Sequence, residues 1–149
     1  MVSAFATQAG LVLGQEKVHG KSNEITAIPL LLESLYLKGL LVSIDAMGCQ
    51  RDIAAQIHRQ EGDYLLAVKG NQPSLQKAVE AAVIELGEAA VPWPMVEDSH
   101  GRKVVQTARV IPAAGHIDTT AWPACKSIGV IDSWRQVGDK PAQWERRYY

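Results

Sequence analysis

The chain has 149 residues, 47% hydrophobic and 21% charged, and its 15 Lys and Arg against 16 Asp and Glu leave a net charge of −1. That is the make-up of one globular domain with a real core, and it excludes a disordered chain and strong nonspecific nucleic-acid binding by the molecule as a whole, though not a local basic face. No apolar run nears the roughly 20 residues of a helical membrane span, and Met1-Val2-Ser3-Ala4-Phe5 lacks the basic and apolar regions of a signal peptide.

The cytoplasm is therefore the expected compartment, with Cys49 and Cys125 as free thiols. Residues 2–7 and 11–18 are two strand candidates joined by Gln8-Ala9-Gly10, a hairpin turn with Gly supplying positive φ. Ile25, Ile28, Leu31, Leu32 and Leu35 then recur at helical spacing. Pro29 fits the first turn of that helix if Thr26 is its N-cap, which places it at 27–37 with Gly39 as the C′ residue. A buried strand over 40–45 follows, ending on Asp45 before the turn Ala46-Met47-Gly48-Cys49 and a helix over 50–59 with Ile53, Ala54 and Ile57 inward. Residues 64–69 form a second buried strand, and Gly70-Asn71-Gln72-Pro73 turns into a helix over 74–86. The strand–helix–strand repeats imply right-handed crossovers and a mixed sheet covered by helices. Pro92-Trp93-Pro94 is a stiff break, and the β-rich remainder has strands over 103–111, 127–132 and 143–149. With β-type runs at both ends, the chain reads as cut on each side.

Asp45 is the first candidate for chemistry. A carboxylate at the carboxyl end of a strand lies where open α/β sheets place their sites, as a metal ligand or a base. The same position more often serves as a cap on the next turn. One carboxylate does not satisfy Mg²⁺, which needs several oxygens, and Asp52 faces away from it if Ile53 and Ile57 face the core. Lys69, Asn71 and Gln72 at the end of the next strand are candidate phosphate contacts. Lys21 and Asn23, in a polar rim with Lys17, His19 and Glu24, are others. Arg102 and Lys103 beside His100 suit a DNA backbone, and Glu145-Arg146-Arg147 suits the charged gatekeepers of an edge strand. No nucleophile elbow, P-loop or dinucleotide turn is present, which argues against hydrolase, nucleoside-triphosphatase and dehydrogenase activities.

Several segments occur in an order that is specific as a set: Val2-Ser3-Ala4-Phe5; Lys21-Ser22-Asn23-Glu24-Ile25-Thr26-Ala27-Ile28-Pro29-Leu30-Leu31; Asp45-Ala46-Met47-Gly48-Cys49-Gln50; Asp63-Tyr64 to Lys69-Gly70-Asn71-Gln72; His100-Gly101-Arg102; Trp122-Pro123; Lys126-Ser127-Ile128-Gly129-Val130; and Arg146-Arg147-Tyr148-Tyr149. Together they resemble the H-repeat-associated insertion-sequence transposases of the DDE family, over nearly the whole chain. The resemblance implies an α/β fold: an RNase H-like mixed sheet with helices, here without its first strand, over residues 1–90, and a β-rich insertion over 91–149. It also implies DNA cleavage and strand transfer at insertion-sequence ends by Mg²⁺ ions held on three carboxylates. Asp45 matches the second of these. The first belongs to an Asp-Gly-Lys segment and the Glu to a Trp-x-Ile-Glu-Asn segment, and neither motif occurs in this chain. The expectation is a transposase by ancestry, truncated and inactive alone, with a homo-oligomer or full-length transposase as partner. The alternative is a noncatalytic module that binds DNA or transposase and modulates transposition.

Overall fold

The computed structural model describes residues 1–18, 24–99 and 101–149. The chain divides into two units, the first built from Met1–Ala67 with Thr119–Ala124 and the second from Val68–Asp118 with Cys125–Tyr149. The described residues show mixed α/β structure with three α-helices. In place of one mixed sheet, the strands form three: two pairs and a set of four.

In the first unit β1 (Val2–Ala6) and β2 (Leu11–Glu16) form the expected antiparallel hairpin. Gly10 takes φ 66 in its turn and donates its N–H to the Ala6 carbonyl at 2.8 Å. Helix α1 (Glu24–Glu33) packs on the hairpin at Gly14, where an added Cβ would lie 3.1 Å from Leu31 Cδ1. This helix begins and ends earlier than the 27–37 span expected from the sequence, and Pro29 lies inside it, not in its first turn. The missing Pro N–H costs one bond to Ile25, but burial of Ile28, Leu31 and Leu32 carries the helix through. It stops because Ser34 N and Leu35 N bond three residues back, to Leu31 O at 3.1 Å and Leu32 O at 3.2 Å, while the Ser34 hydroxyl donates to Leu31 O. Gly39, at φ 73, is thus a turn residue bonded to Glu61 O and does not cap the helix.

Strand β3 (Leu41–Ile44), a 3-10 turn (Ala46–Gly48), helix α2 (Arg51–Arg59) and strand β4 (Asp63–Leu66) complete a β-α-β unit with β3 and β4 parallel. Ile53 and Ile57 of α2 meet Ile28, Leu32 and Leu37 in one core, against which Val2, Val42, Ile44 and Tyr64 pack. Gln56 is buried with them, and its Nε2 donates to the Pro29 carbonyl at 2.9 Å, which ties α2 to α1. Tyr64 donates its hydroxyl to Pro123 O at 2.7 Å, beside the buried Trp122.

The second unit holds α3 (Pro73–Leu86), with Val79, Ala82 and Val83 buried, and an antiparallel sheet in chain order: β5 (Trp93–Ser99), β6 (Arg102–Pro112), β7 (Ser127–Val137) and β8 (Gln143–Tyr148). Strand β5 occupies what the sequence suggested was a break. It is an edge strand with nearly every residue exposed, so it shows no alternation, and the open side of an edge tolerates Pro94. Ile111, Ile128 and Val130 are the sheet's buried centre. Val68 bridges to Tyr148, and Gly129 exchanges both backbone hydrogen bonds with Tyr149.

Candidate functional site

Strand β3 delivers Asp45 to its carboxyl end, as its position after the short apolar run Leu40 to Ile44 predicts. The residue is extended and exposed, and its Oδ1 accepts the Met47 N–H at 3.1 Å and the Gly48 N–H at 3.4 Å. The 3-10 turn that follows is too tight for a side chain at Gly48, where a Cβ would stand 2.2 Å from Ile44 Cγ2. Cys49 is fully buried behind it, and burial pushes its thiol up to about 11, which leaves it protonated and inert at neutral pH. Asp45 therefore holds the turn together while presenting a carboxylate to solvent.

Among the described residues no three His, Cys, Asp or Glu side chains converge into a group able to hold a metal ion. Asp52 lies on the exposed side of α2. The donor set present does not fit a hard divalent ion, which takes near-octahedral oxygen coordination.

The other sequence-derived candidates separate into small groups. Lys69, Asn71 and Gln72 share the turn before α3, in the second unit. Lys69 and Asn71 are exposed, Gln72 N donates to Lys69 O at 3.0 Å, and Gln72 occupies the cap position of α3, with no side-chain cap bond. Arg102 and Lys103 open β6, where Arg102 meets Glu97 at 3.1 Å and Lys103 meets Asp98 at 3.8 Å across the β5–β6 hairpin. These pairs offset much of the positive charge that a phosphate would seek. Lys21 and Asn23, with His19 and His100, lie outside the described residues.

Sequence reasoning missed the best-formed charged cluster. Asp132 on β7 accepts Arg146 Nε and Nη2 at 2.6 and 3.0 Å from β8 and Arg109 Nη1 at 2.9 Å from β6. Arg146 hydrogen bonding is the chief reason that the Asp132 carboxyl is held below its usual range, with Arg109 adding to it. The guanidinium of Arg146 also lies 5.3 Å from the Trp144 ring centroid. Only the register, with Asp132 opposite Arg146 and Arg109 on the diagonal, brings the three charges together. This cluster clamps three strands of the sheet.

The exposed Asp45 carboxylate thus ends a strand of a parallel β-α-β unit. Residues 1–121 match the transposase DDE domain, and the chain belongs to that family. It is 44% identical to YbfL and 43% identical to the H repeat-associated YhhI of Escherichia coli (strain K12), in each case over 100% of this chain and 42% of the relative. It is 52% identical to the H repeat-associated YbfD of the same strain over 69% of this chain and 42% of that protein; YhhI is named as an inferred transposase, as is YbfD. The resemblance read from the ordered segments is thus borne out. The chain spans about two-fifths of the length of these relatives. No solved structure matches it. Among the described residues no helix is long and apolar enough to cross a membrane.

Proposed function

We propose that this chain contributes Asp45 as one of three carboxylates in a DDE transposase that cuts insertion-sequence ends and joins them to target DNA. The observation that carries the reading is the exposed Asp45 carboxylate at the end of β3, fixed by the Met47 and Gly48 amides. In this reading residues 1–90 form the RNase H-like core, without its first strand, and residues 91–149 form the β-rich insertion. The family chemistry runs on Mg²⁺, but Asp45 alone does not hold a hard ion, so these residues by themselves neither nick nor transfer DNA. Lys21, Asn23, Lys69, Asn71, Gln72, Arg102 and Lys103 contact DNA phosphates, with Arg102 and Lys103 exchanging their carboxylate partners for phosphate on binding. The protein acts in the cytoplasm, as a homo-oligomer or with full-length transposase.

The test is nicking of DNA carrying the element's ends by the purified chain in Mg²⁺. No product is expected. Robust nicking that disappears in Asp45→Ala would refute the proposed incompleteness. The second reading, a noncatalytic module that pairs with intact transposase, is favoured by the open strand edges of the first unit. Co-purification with full-length transposase and inhibition of its activity support that reading.

A further inference from the structure

The Trp122-Pro123 segment has no part in the carboxylate chemistry, and it lies in a loop that leaves its own unit. Strands β6 and β7 belong to the second unit, yet Thr119–Ala124, in the loop that joins them, belong to the first. At the base of the loop Ala113 N donates to Lys126 O at 3.0 Å and extends the β6–β7 pairing by one position. Of the six residues at the tip, Trp122 is buried, while Thr119, Thr120 and Ala124 are exposed. Pro123 O accepts the Tyr64 hydroxyl at 2.7 Å, and Tyr64 stands opposite Val42 on β3, the strand that leads to Asp45. Ala124, where the chain turns back toward the second unit, has φ 59. In that left-handed conformation its Cβ crowds the following carbonyl, a strain that glycine would not carry.

We propose that residues 119–124 are a releasable latch, whose tip leaves the first unit while both units stay folded. Closed, it buries Trp122 and ties Tyr64 of β4 through Pro123 O. Open, it leaves Ala67–Val68 as the remaining chain join between the units. Ala67 N bonds to Ile44 O at 3.1 Å in the first unit and Val68 N to Tyr148 O at 2.8 Å in the second, so that join is a single peptide link. Burial of Trp122 and the Tyr64 bond favour the closed form, and the strained backbone of Ala124 opposes it. A segment held through one buried side chain opens at lower free energy than the core beside it. Every strand keeps its partners when the latch opens, because no residue of the tip belongs to a sheet. The latch needs no metal and no DNA, so failure of the nicking test leaves it standing, and its own failure leaves the role of Asp45 standing.

The experiment is fluorine NMR of the full chain grown with fluorotryptophan, with the Trp122 signal assigned by its loss in Trp122→Phe. Saturation transfer is expected to link that signal to a minor, solvent-exposed one, while the Trp134 and Trp144 signals of the second unit have no such partner. Tyr64→Phe, which loses the bond to Pro123 O, should raise the open-to-closed ratio about fivefold. Ala124 is exposed, so substitutions there act through the backbone. Ala124→Gly should lower the ratio about threefold, and Ala124→Val, whose branched side chain fits that conformation worse, should raise it about tenfold. Cys49, sealed in the first unit, should react with a thiol reagent at an unchanged rate in all three variants. The proposal is overturned by the absence of a minor Trp122 signal in both Tyr64→Phe and Ala124→Val, or by a higher ratio in Ala124→Gly than in wild type. Cys49 labelling or Trp144 exchange that rises in parallel with the Trp122 ratio would overturn it too, because a whole unit would then be unfolding.

Discussion

Removing the Asp132 carboxylate should destabilise the second unit by about 2 kcal/mol. Asp132 accepts three charge-assisted bonds from two arginines, and its side chain is only 16% exposed. Breaking a fully buried ion pair costs about 3–5 kcal/mol, because the orphaned charge stays out of water. Here Arg109 and Arg146 are 29% and 36% exposed and regain water after the substitution, so each pairing is worth about 1 kcal/mol. For a chain of this size about 2 kcal/mol corresponds to a fall of roughly 6 °C in Tm. The assay is thermal and urea unfolding of Asp132→Ala followed by circular dichroism, with Asp132→Asn, which keeps one acceptor oxygen, falling in between. The pH dependence has a fixed sign. Because the folded carboxyl titrates below its unfolded value near 4, its stabilisation is full above that value. It is lost as pH falls through the folded value. Wild type and Asp132→Ala should therefore converge in acid. A Tm change below 1 °C at pH 7, or a gap that persists unchanged at pH 2, would refute the reasoning.

Gly48→Ala forces a Cβ against Ile44 and should cost about 1–3 kcal/mol in urea unfolding. Asp45→Ala should cost about 1 kcal/mol by removing the turn's cap, and Asp45→Asn, which retains the acceptor, only a few tenths. Thiol titration of the native protein should label Cys125, which is half-buried, well before Cys49, which is sealed and held up to about 11; equal rates would show that the turn opens readily.

Much of the first unit was legible because its signals are local. The hairpin follows from Gly10, the α2 face from Ile53, Ala54 and Ile57, and Asp45 from the strand that it ends. The start of α1 was not legible, since the Pro29 rule is a local penalty that tertiary burial of Ile28, Leu31 and Leu32 overrides. Strand β5 was hidden by its edge position, which removes the alternation that marks half-buried strands. The division into three sheets depends on which edges meet, and no periodicity encodes that. The same limit hid the Asp132 cluster, whose members lie 23 and 14 residues apart in the chain and join only through register.

The most direct test of the central claim is a Mn²⁺ titration of the purified chain followed by electron paramagnetic resonance, with Mn²⁺ standing in for Mg²⁺. If Asp45 is one carboxylate of three and the described residues bring no others to it, wild type and Asp45→Ala should show the same weak binding, with no site tighter than millimolar. A micromolar site present in wild type and absent from Asp45→Ala would contradict the account, because it would mean that these 149 residues assemble a metal centre by themselves.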